Sequence, residues 1–132
     1  MELEVRVPEN SVISIVDDDL MVREATSGLL RAMGFRAEMF GGPEEFLESG
    51  RQHSTSCLIA DMRMPGMSGL DLYNHLVASG APVPTILITG SPLDQDRERA
   101  LQVGVVSYLT KPFKAAELLA SIRTVLGSRK PL

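Results

Sequence analysis

Apolar residues gather in four short runs: VISIV at 12–16, CLIA at 57–60, TILI at 85–88 and VVSYL at 105–109. Each run is continuous rather than alternating, the pattern of a strand covered on both faces in a parallel sheet. A fifth segment, FRAEMF at 35–40, alternates apolar with polar positions and fits a strand nearer an edge. Helical spacing fills the intervals. Val22, Thr26, Leu29 and Met33 form one stripe ended by Gly34, and Leu70, Tyr73, Leu76 and Val77 form another ended near Gly80. Pro43 is placed to open a short helix carrying Phe46 and Leu47. Leu118, Leu119, Ile122, Val125 and Leu126 make the clearest stripe, stopped by Gly127. The stretch from Leu93 to Val103 also reads as helical, but its centre, DQDRER, is almost wholly polar, so this helix is expected to be the loosest. Strand and helix thus alternate five times, which predicts a doubly wound three-layer α/β sandwich with right-handed crossovers.

A chain of 132 residues is long enough to bury one core and short for two. With 44% hydrophobic and 23% charged residues, spread along the chain, disorder is not expected. The core domain is expected over residues 11–127, with residues 1–10 an N-terminal tail and 128–132 a C-terminal tail or the start of a linker. No apolar run approaches the roughly 18 residues of a membrane helix, and MELEVRVPEN is unlike a secretory signal, so no membrane is expected to be involved and a cytoplasmic location is expected. The lone Cys57, inside CLIA, reads as a buried small hydrophobe, not as a disulfide partner or zinc ligand. A formal charge of −4 argues against nucleic-acid binding by this segment itself.

The residues at the carboxyl ends of the apolar runs carry the chemistry. The first run ends in Asp17-Asp18-Asp19, CLIA in Asp61 and TILI in Thr89, while Lys111 stands just beyond VVSYL. In an open parallel sheet ligands bind beyond the carboxyl ends of the strands, so these groups are expected to share one crevice. Several carboxylates gathered there repel one another unless protons are retained or a cation sits among them. Hard oxygen donors with no thiolate or paired imidazole point to Mg²⁺, whose remaining coordination leaves room for a phosphoryl group. A lysine supplies a mobile positive charge for phosphate oxygens, a threonine hydroxyl one hydrogen bond, and an aspartate can itself be the nucleophile.

The residues and their order resemble the response-regulator receiver family, CheY-like in fold, over residues 11–127. The resemblance rests on SIVDDD, LIADMRMPGMSGLDL, ILITGS and SYLTKPF together, and the RMPGMSG and ITGS wording is similar to the FixJ type. It implies a flavodoxin-like five-stranded parallel sheet in the order 2-1-3-4-5. It implies that Asp61 accepts a phosphoryl group from a sensor histidine kinase, that Asp18 and Asp61 bind Mg²⁺ directly with Asp17 acting through water, and that the backbone carbonyl of Arg63 is a further metal ligand. Lys111 would pair with the phosphoryl group, Thr89 would move toward it, and Tyr108 would swing between exposed and buried positions. The Lys111-Pro112 bond is expected to be cis. The family further implies a two-component switch, with phosphorylation-dependent homodimers in many relatives and transcriptional control through a DNA-binding output domain absent here; a standalone single-domain response regulator is the alternative.

Plainer readings compete at several positions. Asp19 is better taken as a helix N-cap. Tyr108 in an apolar strand also fits ordinary packing. His53 and His75 lack the spacing of a metal pair and are expected at the surface. A haloacid-dehalogenase-like phosphatase also uses Asp, Thr, Lys and Mg²⁺. It places its nucleophile after the first strand in a D-x-D pattern and its acidic metal ligands after the lysine, whereas here only Glu117 comes after Lys111.

Overall fold

The structure is a computed structural model that describes residues 11–91 and 94–127, so both expected tails lie outside the described residues. Five strands alternate with five helices: β1 (Val12–Val16), α1 (Leu20–Ala32), β2 (Arg36–Phe40), α2 (Pro43–Ser49), β3 (Cys57–Asp61), α3 (Gly69–Ala78), β4 (Thr85–Thr89), α4 (Asp94–Val103), β5 (Ser107–Thr110) and α5 (Ala115–Leu126). A 3-10 turn, Arg51–His53, comes after α2. All neighbouring strands pair parallel, in the order β2-β1-β3-β4-β5. The alternating FRAEMF segment therefore supplies an edge strand, β2, and the continuous runs CLIA and TILI supply inner strands, as their patterns predict.

Even within the continuous runs, successive side chains go to opposite faces. Ile13, Ile15, Cys57, Ile59, Ile86 and Ile88 pack with Leu30 of α1 and with Leu118 and Ile122 of α5. Val16, Leu58, Ala60 and Leu87 pack with Phe46 of α2, with Leu70, Leu72, Tyr73 and Leu76 of α3, and with Ala100 of α4. Helices thus cover both faces. On α5 the fully buried Leu118 and Ile122 stand one turn apart, and burying each stabilises the fold by roughly 1.5–3 kcal/mol. Among the described side chains of α4 only Ala100 is buried, in keeping with its polar sequence, and Leu101 and Val103 are 41% and 49% exposed.

Some stripes sit differently from the predicted ones. On α1 the buried line is Thr26, Ser27 and Leu30, with Leu29 and Met33 only half-buried. On α3 Leu72 is buried while Val77 faces solvent. The last strand begins at Ser107, and Val105 is buried in the turn before it.

Candidate functional site

The ends of β1 and β3 and the loop after β5 bring Asp17, Asp18, Asp61 and Lys111 together. Parallel pairing sets Val16 beside Ala60 and Asp61 beside Ile88, so β1 and β3 end level and present Asp17 and Asp61 on the same edge of the sheet. The backbone holds this edge: Met62 N–H donates to Ile88 O at 2.7 Å and Lys111 N–H to Thr89 O at 2.7 Å. One oxygen from each of Asp17, Asp18 and Asp61 lies within 4.8 Å of the others. Asp17 and Asp61 are buried and Asp18 is exposed. Lys111 Nζ stands 3.4 Å from Asp61 Oδ1 and 3.6 Å from Asp17 Oδ2, bridging the two buried carboxylates. The Lys111-Pro112 peptide is cis, as the resemblance implies.

Asp17 is fixed by its surroundings. Its Oδ1 accepts from Asp19 N–H at 2.9 Å, and its backbone carbonyl accepts from Arg23 Nη1 at 2.7 Å. Asp19 turns away to cap α1, its Oδ1 accepting from the backbone N–H of Met21 and Val22 at 3.0 and 3.3 Å. The plainer reading of Asp19 holds.

Burial and then the Asp17 carboxylate push the Asp61 carboxyl above its ordinary range; Lys111 pulls the other way by charge and hydrogen bond, and Asp18 adds a smaller push upward. The negative charge of this cluster is therefore incompletely offset by the one ammonium. A hard divalent cation would complete it, and three converging carboxylate oxygens are a donor set that suits one. Thiolate chemistry is excluded at Cys57, which is fully buried with its thiol pushed up to about 12 by desolvation. His53 and His75 lie at the surface, as expected.

Thr89 is fully buried at the end of β4, and its hydroxyl accepts from Ser91 N–H at 3.1 Å. Pairing of Leu87 with Tyr108 and of Thr89 with Thr110 makes Thr89 and Tyr108 diagonal neighbours on the α4 side of the sheet. The Tyr108 ring is buried, and its enclosed hydroxyl makes no well-aligned hydrogen bond, with Thr89 a weak polar neighbour. Burial and then the charge of Asp96 push the phenol up, against weaker opposing effects of Thr89, Arg63 and Arg97.

The loop after Asp61 runs beneath the site and starts α3 at Gly69. Ser68 and Asp71 form a reciprocal capping box, with Ser68 Oγ accepting from Asp71 N–H at 3.0 Å. A Cβ on Gly69 would meet the Asp61 carbonyl oxygen at 2.5 Å and Leu87 Cδ2 at 2.8 Å, so the helix can approach the acceptor strand only with glycine there. Beside Asp18 an open cavity of about 570 Å³ is walled by residues 41–45 and 65–67, giving access from solvent. Glu117, the acid after Lys111, is occupied elsewhere: its Oε1 accepts from Lys114 N–H at 2.8 Å at the start of α5. That removes the second acidic set a dehalogenase-like phosphatase needs.

Residues 13–123 match the family model described as the response regulator receiver domain. Over 118 residues the sequence is 42% identical to the response regulator protein TmoT of Ectopseudomonas mendocina, covering 89% of this chain and 54% of that protein. It is 35% identical over 121 residues to the transcriptional regulatory protein FixJ of Azorhizobium caulinodans, covering 92% of this chain and 57% of that one. The crystal structure of FixJ-N superimposes with a TM-score of 0.82 at 30% identity, covering 92% of this chain and 98% of its own. The chain spans about half the length of the curated relatives it matches.

Proposed function

This chain belongs to the response regulator receiver domain family, and we propose that Asp61 is the residue that takes up a phosphoryl group from a sensor histidine kinase, switching the surface built by α4 and β5. The observation that carries this reading is the convergence of three carboxylates with a lysine ammonium 3.4 Å from one of them, at the carboxyl edge of a parallel sheet.

An oxygen of ionised Asp61 attacks the phosphorus of a phosphohistidine; the P–O bond forms as the P–N bond breaks, and the electron pair leaves with the imidazole nitrogen. Lys111, already beside that carboxylate, stays with the new phosphoryl oxygens and offsets their charge. Asp18 and Asp61 would hold Mg²⁺ directly, with Asp17 and the backbone carbonyl of Arg63 completing its surroundings. When bound, that ion supplies the positive charge that the acidic cluster and a phosphoryl group both call for. Hydrolysis of the aspartyl phosphate restores Asp61, so the domain acts on itself and turns over no metabolite.

The phosphoryl group brings up to about two negative charges and draws the Thr89 hydroxyl inward, which makes room for Tyr108 to move. The exposed Leu101 and Val103 on α4 support a second copy of the chain as the partner for the switched face. A cytoplasmic location and transcriptional control through an output domain outside this chain are part of the same reading, the latter supported by the likeness to FixJ. The test is intact-mass analysis after incubation with acetyl phosphate and Mg²⁺: wild type gains one phosphoryl group and Asp61→Asn gains none. Equal gain by both proteins would refute the reading.

A further inference from the structure

The two halves of α4 are held by different kinds of contact. At the C-terminal end Ala100 is fully buried, and Tyr73 of α3 donates its hydroxyl to Val103 O at 3.0 Å. Gly104 comes next with a φ of +114°, and a Cβ there would collide with the Tyr73 hydroxyl, so the tether and the glycine fit only each other. The chain closes tightly at this point, with Gly104 N–H donating to Leu101 O at 3.2 Å and Val105 N–H to Ala100 O at 3.0 Å.

The other half has no buried apolar anchor among its described side chains. Two guanidinium contacts hold it instead. Arg63, two residues beyond Asp61, places Nη2 3.4 Å from Asp96 Oδ2, and Arg97 Nη1 donates to Tyr108 O at 3.2 Å. Arg63 is 56% exposed in its side chain and Asp96 15%, so solvent and salt reach this pair from the arginine side and weaken its hold. Asp96 also faces Arg99, 3.8 Å away on the same helix. The Arg63–Asp96 pair thus ties the loop directly after the acceptor to α4, near enough to the buried Tyr108 for its phenol to feel both charges.

We propose that α4 is a hinged element, pivoting at the Tyr73–Val103 tether and latched at its other half by Arg63 and Asp96, so that Asp96 is a positioning residue acting through Arg63. The proposal goes beyond the function above and rests on it for one step only. A phosphoryl group on Asp61 sits two residues from Arg63 and competes with Asp96 for its guanidinium, and a weak latch yields where a buried pair would not.

Residue-resolved amide hydrogen exchange on the unphosphorylated protein tests the hinge without any assumption about phosphorylation. In Arg63→Gln the amides of Glu98, Arg99 and Ala100 are expected to exchange about two- to fivefold faster, the factor an exposed ion pair carries, while those of Gly104 and Val105 stay unchanged. High salt should loosen the same half in wild type, and Arg63→Lys should retain most of the protection. Arg99→Gln, which removes only the contact within the helix, should leave it intact. Tyr73→Phe should raise exchange chiefly at Gly104 and Val105. No response to Arg63→Gln, or a uniform rise along α4, would overturn the hinge. Phosphorylated wild type should show the Arg63→Gln pattern, and phosphorylating Arg63→Gln should add nothing further; additive effects would overturn the latch as the route of release. Failure of Asp61 to take up phosphate would instead reject the function, with the unphosphorylated comparison still deciding the hinge.

Discussion

Lys111 Nζ lies 3.4 Å from Asp61 Oδ1 and, among the described residues, is the one ammonium set among the buried carboxylates of the site. Replacing it with methionine keeps the apolar stem and removes the charge. The metal-free domain should lose about 1–3 kcal/mol, less than for a fully enclosed pair because Lys111 is a quarter exposed. Chemical denaturation in the presence of a chelator measures this, and acetyl phosphate labelling of the same variant should slow. Unchanged stability and unchanged labelling would remove Lys111 from the site's electrostatics.

The Asp61 carboxyl, held above its ordinary range by burial and by Asp17, gives the metal-free protein a defined pH dependence. A raised folded-state value means that the folded protein binds this proton more tightly than the unfolded chain. The folded state is therefore favoured at low pH, and this contribution falls away as pH rises from the unfolded carboxylate value through the raised one. Asp61→Asn should flatten that decline and melt higher than wild type at neutral pH without metal. Mg²⁺, binding the folded state, should raise the wild-type melting temperature and have less effect on the variant. Melting curves over a pH series with chelator or Mg²⁺ check both.

Gly69→Ala should destabilise the domain by about 1–3 kcal/mol, because the new methyl group meets the Asp61 carbonyl and the Leu87 side chain at 2.5 and 2.8 Å. The same displacement should slow Asp61 labelling. Gly28→Ala, where nothing lies within 4 Å of an added Cβ, is the matched control and should be neutral or slightly stabilising.

The strands and the site are legible in the sequence for one physical reason: parallel strands buried on both faces leave continuous apolar runs, and the polar residues directly after them must fall at one edge of the sheet. The buried side of α1 keeps Thr26 of the predicted stripe but turns from there through Ser27 to Leu30, because an apolar pattern passes over a buried serine. Val105 reads as part of the last strand because a buried turn residue is as apolar as a strand residue. Gly69 sits in an S-x-x-D capping signature, which is local and visible in the sequence, but its contact with Asp61 is tertiary. Arg23 on the Asp17 carbonyl, Arg63 on Asp96 and Tyr73 on Val103 leave no sequence signal, since polar contacts between separate elements obey no local period.

Thr89 and Tyr108 share a face of the sheet as diagonal neighbours, and the proposed switch runs from Asp61 through the Thr89 hydroxyl to the ring. Thr89→Ala should leave Asp61 labelled by acetyl phosphate but abolish most of the phosphorylation-dependent change in exchange across residues 94–109. A full response in this variant would exclude Thr89 from the route.

Asp61 is proposed as the metal-dependent phospho-acceptor, and peptide mapping after labelling tests this most directly. Wild-type protein incubated with acetyl phosphate and Mg²⁺ should carry the phosphoryl group on the peptide containing Asp61. The label should vanish on chelation and be strongly reduced in Asp18→Asn, which removes one of the three converging carboxylates. A phosphoryl group mapped to another residue, or to Asp61 with equal yield in the presence of chelator, would contradict the account.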